Sequence, residues 1–173
     1  GNFGDIYSGY IAKKMGLPIN KLIIATNKND ILKRVFTTGL YKPLNVMHTL
    51  SPSMDIQVAS NFERLIFDLC SCDSNKVLNY MKELDKKGEF HIDEKELKNI
   101  REHFDSESLP DEEIKLNISE IYKNHKTLID PHTSVGIGIL KKLSLESNTI
   151  VLSTAHPSKF SEVVKGETKE EPE

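Results

Sequence analysis

The spacing of apolar and polar residues predicts that the chain begins with alternating helices and strands. An amphipathic run predicts a helix over residues 5–15, because Gly16 follows it and Pro18 prevents its continuation. A short apolar run over 22–26, flanked by polar residues, predicts a buried parallel strand. A second helix is expected over 31–38. Helix, strand, polar loop and helix in this order indicate a layered α/β sheet, the fold class that we predict.

Polar residues mark the ends of these elements. Asp30 is expected to cap the helix over 31–38 with its side chain, and Gly39 is expected to end it. The residues that follow, 41–55, contain prolines and are expected to be extended and turn-rich, with a short strand at 46–48.

The middle of the chain is predicted to be mainly helical. Residues 56–70 carry apolar side chains at helical spacing, and those that share one face are Ile56, Ala59, Phe62, Leu65, Ile66 and Leu69. The charged sequence that follows predicts helices over 75–87, 93–104 and 110–124, a short strand at 88–92 and a loop at 105–108.

The last part of the chain returns to an α/β pattern. Asp130 and Thr133 are expected to cap a helix over 134–143 reciprocally. Residues 148–153 include several β-branched side chains and predict a strand, and a last helix is expected to start at Pro157.

The composition is that of a globular protein. The 173 residues are 38% hydrophobic and 28% charged, which is enough to bury a core. The net charge of −3 gives no indication of a nucleic-acid or membrane partner, and no apolar run approaches the roughly 18 residues of a membrane span. Cys70 and Cys72 lack the spacing of a redox or zinc site, so two free thiols and a cytoplasmic location are expected. His91, His103 and His125 are too scattered to predict a metal site.

Two glycines at the start of the chain carry the clearest candidate chemistry. Gly1 and Gly4 enclose Asn2 and Phe3 just before the first predicted helix. A helix N-terminus presents free N–H groups and the positive end of its dipole, which suit a phosphate, and Asn2 can add an amide donor. The alternative is an ordinary helix start with Asp5 as its cap. Spacing alone leaves both interpretations open.

The identities of the residues are more specific than the spacing of the two glycines. Six blocks stand out, at residues 1–18, 25–30, 49–56, 60–65, 130–136 and 153–160, and they read GNFGDIYSGYIAKKMGLP, ATNKND, TLSPSMDI, SNFERL, DPHTSVG and STAHPSKF. In this order they resemble threonine synthase, a family that uses pyridoxal 5′-phosphate and has the tryptophan synthase β-like fold, called fold type II. The resemblance extends over nearly the whole chain.

The resemblance implies a function and a set of site residues. The chain is expected to be the C-terminal portion of an enzyme that converts O-phospho-L-homoserine and water to L-threonine and phosphate. Gly1, Asn2, Phe3 and Gly4 are expected to hold the 5′-phosphate of the cofactor, and Thr154 is expected to face its pyridine nitrogen. The Schiff-base lysine of the family is expected upstream, in a missing N-terminal portion. No catalytic residue is therefore expected within the chain, which should be inactive alone.

The same resemblance suggests how the chain is divided. Residues 1–72 would form the phosphate loop and an α/β segment, and residues 73–126, which show no catalytic constellation, would form a charged helical insertion. Residues 127–165 would close the cofactor site, and residues 166–173 would form a flexible tail.

Five further residues remain open between a ligand-binding and a structural role, namely Asn27, Asn29, Ser51, Arg64 and His132. The structural alternatives are turn chemistry for the first three, an ion pair with Asp68 for Arg64, and a backbone-bonded histidine for His132. Two other functions also remain open. One is a lysine-less protein that binds a phosphorylated metabolite without catalysis, and the other is a related lyase of the same fold type.

Overall fold

The computed structural model of the protein describes residues 2–145 and 148–173. Within these ranges the helices are α1 (Gly4–Lys14), α2 (Ile31–Thr38), α3 (Phe62–Leu69), α4 (Ser74–Lys87), α5 (Glu94–His103), α6 (Asp111–His125), α7 (Pro131–Lys142) and α8 (Ser161–Thr168). The strands are β1 (Leu22–Thr26), β2 (Leu40–Tyr41), β3 (Phe90–His91) and β4 (Phe104–Ser108), and 3-10 helices span Pro52–Met54 and Pro157–Phe160.

The strands form two small sheets. β1 pairs with β4, and β2 pairs with β3 in antiparallel register, with Tyr41 opposite Phe90. Mixed helices and strands in this order confirm the predicted α/β class.

The chain divides into two compact units. The first unit comprises Gly1–Ile24, Asn29–Val46 and Ile56–Glu107, and the second unit comprises Ala25–Lys28, Met47–Asp55 and Ser108–Glu173.

An aromatic cluster forms the core of the first unit. Phe3 is only 3% exposed, and its ring lies 5.3 Å from Phe62 in an edge-on arrangement and 6.0 Å from Phe104. Tyr41 stacks on Phe90 at 4.8 Å across the β2–β3 pair. Rings at these separations attract each other in addition to burying apolar surface, so the start of α1 is anchored firmly in this core.

Close packing of helices forms the core of the second unit. α6 packs against α7 and α8. The Ser134 hydroxyl donates a 2.8 Å hydrogen bond to the Ile114 carbonyl. A Cβ atom at Gly138 would lie 2.4 Å from both Leu109 Cδ2 and Asn117 Nδ2, so only glycine lets these helices approach so closely.

The predicted helix over 56–70 is half as long as expected. α3 begins at Phe62, and the six residues before it are not helical. The Ala59 N–H donates to the Tyr41 hydroxyl at 2.9 Å, and the buried Gln57 side chain accepts a 2.8 Å hydrogen bond from Arg34. These long-range partners outweigh the helical spacing of the apolar residues.

Three predictions about strands are wrong. Residues 105–108, predicted as a loop, belong with Phe104 to β4, because this mostly polar stretch pairs with β1 and its continuation at Leu109 donates to the Thr26 carbonyl at 2.9 Å. Residues 46–48 and 148–153 form no strand, because none of the described strands pairs with them. Ile150 is accordingly 84% exposed.

The end of the chain makes several contacts. α8 continues to Thr168, and the Tyr122 hydroxyl donates to Glu170 at 2.7 Å. Pro172 is buried.

Candidate functional site

The start of α1 has an unusual backbone. Phe3 precedes the helix with φ 68° and ψ 1°, in the left-handed region that favours glycine. For a residue with a side chain this costs roughly 1–2 kcal/mol, a cost that burial of the Phe3 ring offsets. Gly4 is the first helical residue, and Gly1 lies outside the described residues.

No side chain caps α1 in the described part of the chain. The expectation that Asp5 is the cap is wrong, because the helix starts one residue earlier and places Asp5 in its first turn. The N–H groups of that turn have no partner within the helix. They are available to a ligand at the positive end of the helix dipole.

Asn2 lies beside this helix start. Its Oδ1 accepts hydrogen bonds from the Ser60 hydroxyl at 2.8 Å and from the Asn61 N–H at 3.4 Å. These two contacts fix the side-chain amide of Asn2 and turn its oxygen away from any anion. The Asn2 amide nitrogen is the group left to bind a ligand.

Gly4 leaves open space at the start of α1. A Cβ atom there would meet only one other group within 4 Å, the Asn61 Nδ2 at 3.5 Å. Ser60, Asn61 and Arg64 also line a cleft of about 840 Å³ in the first unit. Open space, uncapped N–H groups and an amide donor are the features that an anion requires.

Arg64 is exposed and does not form the ion pair with Asp68 that was its structural alternative. The Asp68 carboxylate instead accepts hydrogen bonds from Lys14 at 3.2 Å and from the Tyr7 hydroxyl at 3.3 Å. Burial, and then the Asp68 charge, raise the pKa of Tyr7. Arg64 therefore points into the cleft without an acidic partner among the described residues.

The two asparagines after β1 are buried and play different roles. In the second unit, Asn27 Nδ2 lies within 2.9 Å of Thr49 Oγ1, Ser51 Oγ and Asp55 Oδ1. In the first unit, Asn29 Oδ1 accepts a 3.5 Å hydrogen bond from Gln57. Asn27 and Ser51 therefore belong to a network that holds the turn over 49–55, whereas Asn29 helps to hold the side chain of Gln57.

The start of α7 carries a buried Asp–His pair. Asp130 Oδ1 lies 2.8 Å from His132 Nδ1 and accepts the His132 backbone N–H at 2.8 Å. The Thr133 hydroxyl donates to the same carboxylate. Burial raises the pKa of Asp130, but the hydrogen bonds from His132 and Thr133 outweigh it and hold the pKa below its ordinary value. Asp130 caps α7 as predicted, although Thr133 donates to the carboxylate rather than to the backbone.

His132 makes a second hydrogen bond through its other ring nitrogen. Nε2 accepts the backbone N–H of Ser53 at 3.1 Å. This is the backbone-bonded histidine of the structural alternative. The arrangement of Ser53, His132 and Asp130 is not a nucleophilic triad, since the group facing Nε2 is an amide and not a hydroxyl.

Thr154 is exposed in the irregular segment that follows residue 148. His156, two residues later, accepts the Ser158 N–H at 3.3 Å and caps the 3-10 helix at Pro157–Phe160. Thr154 belongs to the second unit, whereas Asn2, Phe3 and Gly4 belong to the first.

Two residues that hold the turn over 49–55, Asp55 and Ser53, were not identified from the sequence. Asp55 accepts the Thr49 N–H at 2.9 Å and the Thr49 hydroxyl at 2.7 Å, and Ser53 contributes its backbone to His132. A carboxylate six residues after a threonine in a proline-containing turn is a weak local signal for the first. Nothing local indicates the second.

The described ranges contain neither a metal cluster nor a membrane-spanning helix. Residues 2–145 and 148–173 contain no cluster of three histidine, cysteine or acidic side chains placed to hold a metal ion. No helix in the same ranges is long and apolar enough to cross a membrane. Cys70 and Cys72 are free, as predicted.

Comparison with known proteins identifies a consistent set of relatives. The chain is 41% identical over 167 residues to the threonine synthase of Pseudomonas aeruginosa and 44% identical over 183 residues to that of Saccharomyces cerevisiae, with 95% of the chain covered in each. It superposes on PLP-bound threonine synthase from Brucella melitensis with a TM-score of 0.93 and 44% identity over the whole chain. No protein-family model matches.

The chain spans about 36% of the length of these two curated relatives and 38% of the solved structure. The resemblance inferred from the six sequence blocks is confirmed, because homologous threonine synthases cover the chain. The fold likewise follows that of a threonine synthase.

Proposed function

We propose that the chain is the C-terminal portion of a threonine synthase of fold type II. The whole enzyme would convert O-phospho-L-homoserine and water to L-threonine and phosphate in the cytoplasm. The observation that carries this proposal is the similarity to a PLP-bound threonine synthase over the full length of the chain, at 44% identity and a TM-score of 0.93.

The loop before α1 would hold the 5′-phosphate of pyridoxal phosphate. Gly1 and Gly4 would let the backbone approach the phosphate, and the uncapped N–H groups of the first turn would donate to it. Asn2 would add its side-chain N–H, because Ser60 and Asn61 already occupy its oxygen. The left-handed Phe3 would turn the chain into this geometry while its buried ring anchors it.

Thr154 would face the pyridine nitrogen of the cofactor. Thr154 is an exposed residue, so its side chain is accessible to a ligand. When bound, pyridoxal phosphate supplies an electron sink for carbanions on the substrate. A hydroxyl at the ring nitrogen, unlike a carboxylate, would leave that nitrogen largely unprotonated.

The lysine that binds the cofactor covalently would lie outside residues 1–173, in the remaining portion of the enzyme. Lys13 and Lys14 are no substitute, because they lie in the last turn of α1, far along the helix from the uncapped end. The helices over 73–126 would form a charged insertion of the family, between segments 1–72 and 127–165 that carry the cofactor contacts. Residues 166–173 would form its tail.

The test uses the full-length protein that carries this chain. Pyridoxal phosphate is added, borohydride reduction traps any covalently bound cofactor, and mass spectrometry maps the modified lysine. We expect one modified lysine outside residues 1–173, and a Gly4→Val variant that binds the cofactor at least roughly tenfold more weakly, because its side chain intrudes on the phosphate. Gly166→Val, at an open helical position, is the matched control.

Three results would contradict the proposed enzyme or its proposed cofactor site. A protein without a modified lysine, but with saturable cofactor binding, would be a non-catalytic binder. Modification of Lys13 or Lys14 would contradict the assignment of the site. No binding at all would mean that the loop before α1 is an ordinary helix start.

A further inference from the structure

His132 contacts two segments of the second unit that are distant from it in sequence. It lies at the start of α7, its Nε2 accepts the Ser53 N–H at 3.1 Å, and its ring packs on Phe160 with centroids 4.6 Å apart. The residue is only 4% exposed. A polar ring buried to this extent with both nitrogens occupied has a fixed orientation.

The hydrogen bonds define the form of the ring. Asp130 is a buried acceptor at Nδ1, so Nδ1 carries the hydrogen, and Nε2 must be unprotonated because it accepts an amide N–H. A ring in this state has no free nitrogen with which to exchange a proton with a substrate. His132 therefore does not have the geometry of a general acid or base.

The partner of His132 is a turn rich in hydroxyl groups. Ser51 precedes the 3-10 helix Pro52–Met54 and is completely buried, with its hydroxyl 2.9 Å from Asn27 Nδ2. Ser53, two residues later, is exposed. Asn27 thus holds the buried side of the turn, and His132 holds the backbone of Ser53, which is an exposed residue.

We propose that His132 is a positioning residue that fixes the Ser53 backbone so that the Ser53 hydroxyl can bind the phosphoester of the substrate. This inference rests on the proposed function, in which the substrate is a phosphoester. A hydroxyl bound to a rigid backbone donates to phosphate at a low entropic cost, whereas a loose turn must be ordered first. Asp130 contributes by fixing the tautomer of His132.

Two variants of His132 separate its two hydrogen bonds. Gln carries an amide oxygen near the position of Nε2, so His132→Gln can still accept the Ser53 N–H. Asn carries an amide nitrogen near Nδ1, so His132→Asn keeps a donor for Asp130 and loses the acceptor for Ser53. His125→Asn, at an exposed position near the end of α6, is the control for replacing a histidine.

The experiment measures kinetics and amide hydrogen exchange on the full-length protein. For His132→Asn we expect the KM for O-phospho-L-homoserine to rise at least tenfold, kcat/KM to fall roughly 100-fold and exchange in a peptide covering 51–56 to accelerate. His132→Gln is expected to stay within about fivefold of the unaltered protein in both parameters. Cofactor affinity and the pKa values of the pH–rate profile are expected to stay unchanged in both variants.

Ser53→Ala is a second route to the same conclusion if His132→Asn folds poorly. It removes the hydroxyl and keeps the backbone N–H, so we expect a raised KM with unchanged exchange at 51–56. Equal losses in His132→Gln and His132→Asn, a loss confined to kcat with an altered pH–rate profile, or an unchanged KM in Ser53→Ala would each overturn the inference.

Failure of the proposed function is distinguishable from failure of this inference. If the unaltered full-length protein released no phosphate, the proposed function would fail, and with it the role of Ser53 toward a substrate. The exchange measurement would still decide whether His132 holds the turn, since it needs neither cofactor nor substrate.

Discussion

Asp130 and His132 form a buried pair, with Asp130 Oδ1 2.8 Å from His132 Nδ1 at the start of α7. The same carboxylate caps the helix by accepting the backbone N–H of His132 at 2.8 Å. One side chain therefore stabilises a helix end and determines which nitrogen of the histidine carries hydrogen. The Asp130 carboxylate therefore affects both the stability of the fold and, through His132, the turn at Ser53.

The depressed pKa of Asp130 predicts a loss of stability in acid. Hydrogen bonds from His132 and Thr133 favour the carboxylate in the folded state, so its stabilising contribution is present above about pH 4 and is lost as the pH falls through the folded pKa. Asp130→Asn should lower the free energy of unfolding at pH 7 by about 1–3 kcal/mol, because the amide keeps only one acceptor oxygen and cannot accept from both the His132 ring and the Thr133 hydroxyl. Its stability should then depend less on pH below about 4.

Unfolding of the full-length protein by urea between about pH 2.5 and 7 measures both effects. Asp85→Asn, at an exposed position of α4, is the control. Identical acid limbs for the unaltered protein and Asp130→Asn would show that the pair does not govern acid stability.

Lys76 links α4 to the start of α5. Its ammonium lies 2.7 Å from both Asp93 Oδ2 and Glu96 Oε1, and these two carboxylates raise the pKa of Lys76. The contribution of the charged Lys76 to the stability of the fold is therefore fully present below about pH 10 and is lost only at higher pH. Glu96 is buried, and its Oε2 has no hydrogen-bond partner within residues 2–145 and 148–173.

Removing the cation should therefore cost more than removing both charges. Lys76→Met is expected to lower the free energy of unfolding by about 1–2 kcal/mol, since Lys76 is one-third exposed and water screens part of the loss. Lys76→Met combined with Glu96→Gln should recover about half of this, because no buried charge remains. A double variant that is less stable than Lys76→Met would contradict this account of the pair.

The close approach of helices at Gly138 predicts a sensitive position. A methyl group there would lie 2.4 Å from Leu109 and Asn117 side-chain atoms, so Gly138→Ala should destabilise the protein by about 1–3 kcal/mol through overpacking. Gly166 in α8 has no atom within 4 Å of such a methyl group. Gly166→Ala should be neutral or stabilising by up to about 1 kcal/mol, because alanine favours helix. The midpoint temperature of thermal unfolding should fall in Gly138→Ala and should stay unchanged or rise in Gly166→Ala. Equal midpoints in the two variants would contradict the claim that Gly138 is tightly packed.

Thr154 offers a chemical test of the proposed cofactor site. Thr154→Ser keeps the hydroxyl that would face the pyridine nitrogen, whereas Thr154→Val keeps the shape and removes the hydrogen bond. We expect Thr154→Val to lower kcat roughly 100-fold and to shift the visible absorption maximum of the bound cofactor. Thr154→Ser should retain the absorption maximum and most of kcat. A Thr154→Val variant with both properties unchanged would remove Thr154 from the site.

Local sequence signals predicted much of the fold. β1 and α2 have their expected bounds, and α1 starts one residue earlier than predicted. In these elements the apolar pattern and the glycine after each helix act over a few residues. Asp30 shows the limit of such rules, since its carboxylate accepts a hydrogen bond from Arg34 at 2.9 Å instead of capping α2.

Long-range contacts explain what the sequence alone could not predict. β4 is mostly polar and becomes a strand through its pairing with β1, whose residues lie some eighty positions earlier. The contact between Ser53 and His132 joins positions 79 residues apart. The residues of the proposed phosphate loop are contiguous in sequence, so this hypothesis could be framed from the sequence alone, whereas the contacts of Asn27 and His132 depend on segments that only folding brings together.

The most direct test of the central claim is the conversion of O-phospho-L-homoserine by the full-length protein supplied with pyridoxal phosphate. Inorganic phosphate and L-threonine are measured in the same reaction over time. We predict that both appear in equal amounts and only when the cofactor is present. Absence of phosphate release from a folded, cofactor-saturated protein, or phosphate release without L-threonine, would contradict it.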